Sequence, residues 1–471
     1  MGRCYDGNLL ENSSFETGLT GWTVNNVTIS GDRPFEGVAT ARMGQTTASM
    51  FQDVLLDRIC RKPLFLSFEM LPLPWQEPNA VGKLVAEVFW IDDKENIIGT
   101  GLRTLIPEER TSCGDNRLTF VEITDMPPEN AVKARLQFSK GTTEINTTNI
   151  LDIDNIILAP IGSINLVKNS GFQLGLNNWS FSNASVQFTN IYEGTASINL
   201  EPNGTLTQNI VINNLPYNSN FLLSFAIDAL RADDFPGETF LRAQVIWLNK
   251  LDSPIGTGLE LLIDGDKIQY QRNYATYVDV TTRAPKGAVT AQVKLTNTDP
   301  NFGFNIDKVI FARVGSGNLI ENSGFENALS ISPWIVQGTT AVETTTWAYE
   351  GRRIARISNL GGSISQTVTM EKNYWYLLSF GYHNSNENTG NMLVEVYWLD
   401  SNDQEVGVGL SIIAPSIIRY GNGISIEGDW ITYLGVTDLA PENAVKARIQ
   451  FSRLSGNASI NIDKVVFVRL V

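Results

Sequence analysis

The chain repeats itself three times at whole-domain length, and nothing else in it limits the fold as much. Asn8-Leu9-Leu10-Glu11-Asn12-Ser13-Ser14-Phe15-Glu16 is followed by Trp22. Asn165-Leu166-Val167-Lys168-Asn169-Ser170-Gly171-Phe172-Gln173 is followed by Trp179, and Asn318-Leu319-Ile320-Glu321-Asn322-Ser323-Gly324-Phe325-Glu326 by Trp334. These openings lie 157 and 153 residues apart. Ile153-Asp154-Asn155-Ile156, Ile306-Asp307-Lys308-Val309 and Ile462-Asp463-Lys464-Val465 close the copies, and Pro128 to Arg135 recurs unchanged at Pro441 to Arg448. Solenoid units run to roughly 20–50 residues, so each copy here is a domain. The expected division is an arm, 1–7, and repeats over 8–160, 161–315 and 316–471. The joints, Pro160 to Ile164 and Val314 to Gly317, are short, which favours a fixed arrangement of domains.

Within each copy the pattern is that of strands. Val132-Lys133-Ala134-Arg135-Leu136-Gln137-Phe138 alternates apolar and polar residues, as do Val289 to Leu295 and Val445 to Phe451. A period of two marks a half-buried strand. Short apolar runs such as Leu64 to Phe68 and Leu377 to Phe380 are bounded by turn residues, and no helical stripe lasts beyond a turn or two. The expected fold is all-β: three tandem β-sandwich (jelly-roll) domains. A Gly-x-Gly follows a tryptophan strand in each copy (Gly99/Gly101, Gly256/Gly258, Gly407/Gly409) and reads as a turn or bulge.

Composition removes several functions. The net charge is −15, so nucleic acid and anionic lipid are poor partners. No apolar run approaches the 18 or so residues of a membrane span, and the first residues hold no apolar signal segment. There is one histidine, His383, expected in a surface loop, and no GxSxG elbow or P-loop. The chain is read as no enzyme.

The openings, the middle Phe35-Glu36-Gly37, Tyr192-Glu193-Gly194 and Tyr349-Glu350-Gly351, and the closing Ile-Asp-x-Val/Ile together resemble the jelly-roll carbohydrate-binding modules over most of the chain. A weaker resemblance is to surface proteins of spore-forming bacteria. The first resemblance implies a structural Ca²⁺ near the ends of each domain, bound by hard oxygen ligands. By position these are Glu16 and Asp154, Glu326 and Asp463, and Asp307, with Glu36, Glu193 and Glu350 as additions. Gln173 replaces the glutamate in the second copy, which disfavours a cation there.

Sugar-binding modules stack a pyranose on an exposed aromatic ring. Trp22, Trp179 and Trp334, and likewise Trp90, Trp247 and Trp398, recur in register and read as core. The tryptophans without counterparts, Trp75, Trp347, Trp375 and Trp430, are the candidate sugar platforms. Cys4, Cys60 and Cys113 have no counterparts in the other copies. Cys60 and Cys113 are expected to pair within the domain, which leaves Cys4 either to link the arm to another subunit or as a free thiol in a reducing compartment. Two functions stand. One is a non-catalytic structural protein of a cell or spore surface, extracellular, assembling with copies of itself into a filament, layer or appendage. The other is a tandem carbohydrate-binding or adhesion protein whose partner is a polysaccharide.

Overall fold

The computed structural model describes residues 7–471 except 57–60, 74–81, 112–116, 142–149, 217, 230–239, 265–273, 328–330, 346–347, 385–389, 416–429 and 457–458. The described residues are nearly all strand and turn, with one four-residue helix, Glu108–Thr111. In the first repeat two five-stranded antiparallel sheets face each other. The outer one runs Thr23–Asn25, Ala48–Leu55, Lys133–Lys140, Leu84–Ile91, Ile97–Ile106; the inner one runs Val27–Ser30, Thr40–Met43, Ile150–Pro160, Leu64–Leu73, Leu118–Ile123. The third repeat copies both, in the same order, over Ile335–Gln337 to Ile460–Arg469. In the second, the long strand Ser197–Val211 belongs to both layers and joins them into one eight-stranded sheet.

The repeated residues explain themselves. Asn8 accepts from Leu158 N at 2.9 Å and donates to Ile156 O at 2.8 Å, so the opening is fastened to the closing strand. Asn165 and Asn318 do the same to Phe311 and Val309, and to Phe467 and Val465. Phe15, Phe172 and Phe325 each pack on the following tryptophan at 5.4–5.5 Å, and that indole donates to the second asparagine's carbonyl. The Gly-x-Gly strands do carry register shifts opposite Trp90, Trp247 and Trp398. The second glycine has a further cause: a Cβ on Gly101, Gly258 or Gly409 would sit 2.4–2.6 Å from an indole carbon.

The outer sheets alternate half-exposed and buried residues, whereas the inner strands Leu64–Leu73, Leu118–Ile123 and Ile150–Pro160 are buried throughout. The inner sheets are covered by one another. Thr276 Oγ1 donates to Thr119 O at 2.6 Å, Thr432 Oγ1 donates to Thr276 O, and Thr119 Oγ1 donates to Thr432 O at 3.2 Å. The cycle closes, so the three repeats surround a pseudo-threefold axis. Around it the same seam is built three times. Gly194 N donates to Leu105 O, Gly351 N to Leu262 O, and Gly37 N to Ile413 O, at 2.6, 2.9 and 2.8 Å. Tyr192 stacks on Phe120, Tyr349 on Tyr277, and Phe35 on Tyr433, at 4.1–4.5 Å between centroids. The start of the chain takes part: Gly7 is buried against Thr437 O, as Gly317 lies near Thr281 O. The short joints therefore belong to a fixed, closed arrangement.

Candidate functional site

With the inner faces consumed, the solvent-facing side of each outer sheet is the open surface of the fold. In the first repeat, cross-strand register aligns Phe51, Gln137, Glu87 and Arg103 in one row, and Asp53, Arg135 and Phe89 in the next. In the third repeat the rows are Ser365, Gln450, Glu395, Ser411 and Thr367, Arg448, Tyr397, Val408. Four positions thus agree: Gln137 with Gln450, Glu87 with Glu395, Arg135 with Arg448, Phe89 with Tyr397. All eight side chains are half-buried. The second repeat has Lys294, Gln244, Gln292 and Ile246 there, without an aromatic ring.

The local geometry repeats too. Gln137 Nε2 donates to Ser139 Oγ at 3.0 Å, and Gln450 Nε2 to Ser452 Oγ at 3.2 Å. The Arg135 guanidinium lies 4.1 Å over the Phe51 ring and forks onto Asp53 at 2.6 and 2.8 Å. The Arg448 guanidinium lies 4.5 Å over Tyr397 and pairs with Glu405. Desolvation, then the hydrogen bond with Glu395, pushes the Tyr397 phenol up to about 12, so it remains a donor at neutral pH. These rows were missed in the sequence. The available signal was an aromatic residue at the outward parity of the strand Glu-Val-(Phe/Tyr)-Trp, next to the inward tryptophan.

The platform tryptophans fare differently. Trp375 is 5% exposed and belongs to a core cluster with Leu434 and Val466, so it is no platform. Trp430 is half-buried, 5.8 Å from Tyr349 and 5.4 Å from His383. His383 is likewise no surface residue: it lies within the strand Tyr376–Asn384, 6% exposed, with Nδ1 3.0 Å from Asn461 Nδ2. Trp75 and Trp347 lie outside the described residues, as do Cys4, Cys60 and Cys113. The recurrent tryptophans are core, at 7% exposure or less.

The acids of the opening and closing motifs converge on one loop, the Phe/Tyr-Glu-Gly segment that makes the seam. Glu16 Oε1 accepts from Val38 N and Ala39 N at 2.9 and 3.1 Å, and Glu326 Oε1 from Arg352 N and Arg353 N at 2.7 and 2.8 Å. Gln173 Oε1 does the same with Thr195 N at 2.8 Å, which an amide oxygen can do as well as a carboxylate. Asp154 accepts from Phe35 N, Asp307 from Tyr192 N, and Asp463 from Glu350 N. Burial, foremost, pushes all three aspartic carboxyls well up.

In two repeats the positive charge beside this loop is a lysine. Lys308 Nζ lies 2.6 Å from Glu122 and 3.2 Å from Glu193. Lys464 Nζ lies 2.9 Å from Asp279 and 3.6 Å from Glu350. Burial pulls these ammonium groups down, but the facing carboxylates outweigh it and push them up. Each triad spans a seam, because Glu122 and Asp279 belong to the preceding repeat. In the second and third repeats Lys308 and Lys464 stand beside Glu193 and Glu350, which disfavours a calcium ion there, since that ion takes 6–8 oxygens at about 2.3–2.6 Å. Among the described residues no three His, Cys, Asp or Glu side chains are placed to hold a metal.

No protein-family model and no curated protein matches this chain. Solved structures similar to it are mostly carbohydrate-binding modules. The N-terminal CBM22-1-CBM22-2 tandem domain of Paenibacillus barcinonensis Xyn10C is 12% identical over 66% of this chain and 99% of its own, with a TM-score of 0.26. TmCBM61, in complex with β-1,4-galactotriose, is 15% identical over 32% of this chain and 99% of its own, with a TM-score of 0.24. The enzymatically active domain of bacteriophage CBA120 tailspike protein 4 is 22% identical over 32% of this chain, with a TM-score of 0.25. This chain covers 21% of the tailspike's length. No helix among the described residues is long and apolar enough to cross a membrane.

Proposed function

We propose that the chain is a non-catalytic polysaccharide-binding protein with two binding faces, acting in adhesion outside the cell. The observation that carries this is the side-chain match between the open sheet faces of the first and third repeats: glutamine, glutamate, arginine and an aromatic ring. Planar polar groups beside a half-buried ring suit a sugar, which presents hydroxyls at its rim and C–H groups on its faces. A neutral polysaccharide is favoured. Arg135, Arg103 and Arg448 on these faces are each paired with a carboxylate, and the net charge of −15 repels an acidic glycan. Affinity electrophoresis in neutral polysaccharide gels tests it. Retardation by one of them, reduced by Phe89→Ala or Tyr397→Ala and abolished by both, is expected; no retardation in any gel refutes it.

A second reading is assembly into a surface layer or appendage. The closed, fixed arrangement of the repeats supports it, since a rigid unit suits a lattice. Light scattering with and without reductant decides it. Particles that shrink on reduction or in Cys4→Ser carry the reading, and a 52.0 kDa species throughout ends it.

A further inference from the structure

Among the described residues the three seams are alike in their backbone and aromatic contacts but unequal in what reinforces them. The first-to-second seam has the Lys308 triad, a hydrogen bond from the Tyr192 hydroxyl to Thr119 O, and Glu109 accepting from Asn190 N at 3.0 Å. The second-to-third seam has the Lys464 triad and the Tyr349 hydroxyl on Thr276 O at 3.1 Å. Both are also crossed by the chain. The third-to-first seam has no such connection, although Gly7 packs against Thr437 across it. There Asn155 stands in place of the lysine and donates to Leu434 O at 2.9 Å. Gly435 stands in place of the acid, paired with Leu378 as Glu122 is with Leu66 and Asp279 with Leu223. Phe35 replaces the tyrosine, so the hydroxyl contact to the threonine is lost; Tyr433 Oη donating to Phe35 O at 2.6 Å remains.

We infer that the closed arrangement is a clasp that opens at the seam between the third and first repeats, ahead of the other two. The first and third repeats flank that seam and carry the two matched faces, so opening changes the spacing between them. This last consequence rests on the polysaccharide reading; the opening itself does not. A clasp of this kind lets two rigid faces adjust to one extended polymer, where both must engage for the gain from linked binding.

The test is native-state hydrogen exchange on the full chain without ligand, reading one equivalent amide at each seam: Gly37, Gly194 and Gly351. Local opening with a free energy below that of global unfolding predicts that Gly37 exchanges about tenfold or more faster than the other two. The double variant Asn155→Lys/Gly435→Asp, which builds a third triad, slows Gly37 and leaves Gly194 unchanged. Should that variant not fold, Lys308→Asn/Glu122→Gly makes the converse test by speeding Gly194. Equal protection at all three glycines, or variants that move all three together, would overturn the clasp. Failure of every polysaccharide to bind would leave these exchange rates as they are and remove only the function assigned to the opening.

Discussion

Replacing Lys308 with methionine probes the seam where its energetics are most legible. The side chain keeps its length and apolar stem, and only the ammonium goes. In the wild type the Lys308 side chain is 14% exposed and its ammonium lies between Glu122 and Glu193, whose side chains are 2% and 9% exposed. Removing one partner of a buried pair leaves an uncompensated charge, which costs about 3–5 kcal/mol. Here two carboxylates lose the same partner and then face each other. The cheapest response is for one to take up a proton, so the cost depends on pH. A carboxyl whose folded pKa is raised holds its proton above the pH at which the unfolded chain releases it. Stability therefore falls as pH rises through that interval. The variant should be destabilised by about 4 kcal/mol at pH 8 and by clearly less at pH 5. Urea unfolding followed by circular dichroism at the two pH values measures it. As a control, Asn155→Met at the third seam removes one neutral hydrogen bond and should cost about 1 kcal/mol, independent of pH. A loss below 1 kcal/mol in Lys308→Met, equal at both pH values, would refute the view that a buried ion triad holds the first seam.

Other consequences are simpler. Gly101→Ala places a methyl 2.4 Å from a Trp90 indole carbon and should destabilise by roughly 1–3 kcal/mol in thermal unfolding, the usual cost of overpacking. Trp375→Ala empties a core position 5% exposed and should cost about 3–5 kcal/mol while leaving affinity for a polysaccharide intact; Tyr397→Ala should do the reverse. Burial, then Glu16, pushes the Glu36 carboxyl up to about 7. The wild type should therefore lose stability as pH rises from about 4.5 to 7 and level off above, and Glu36→Gln should flatten that part of the profile.

Much of the fold was legible because its causes are local. The alternation in Val132 to Phe138 gives the outward and inward faces of an outer strand directly, and the tryptophans that recur in register are core, as expected. The Asn-Leu-x-x-Asn-x-x-Phe opening was recognisable as a pattern, although its purpose, tying the first residues to the last strand, needs contacts across about 150 residues. The seam was not legible. Phe35, Tyr192 and Tyr349 read as part of a family motif, and only the packing of one repeat on the next shows that they are its contacts. For the acids, sequence gives spacing but not the backbone N–H groups that donate to them or the lysines that stand beside Glu193 and Glu350 in two of the repeats. Uniqueness misled in the case of Trp375. A residue without counterparts in sister repeats marks difference, and here the difference is in the core: Trp375 belongs to a buried cluster that draws on all three repeats.

The binding assignment rests on two faces that share four side chains. Titration calorimetry with soluble neutral polysaccharides tests it most directly, on the wild type, Phe89→Ala, Tyr397→Ala and the double variant. Two sites per chain for at least one polysaccharide are expected, one site in each single variant and none in the double, with thermal unfolding unchanged. Binding that survives intact in the double variant, or no heat from any polysaccharide with the folded wild type, would contradict the assignment.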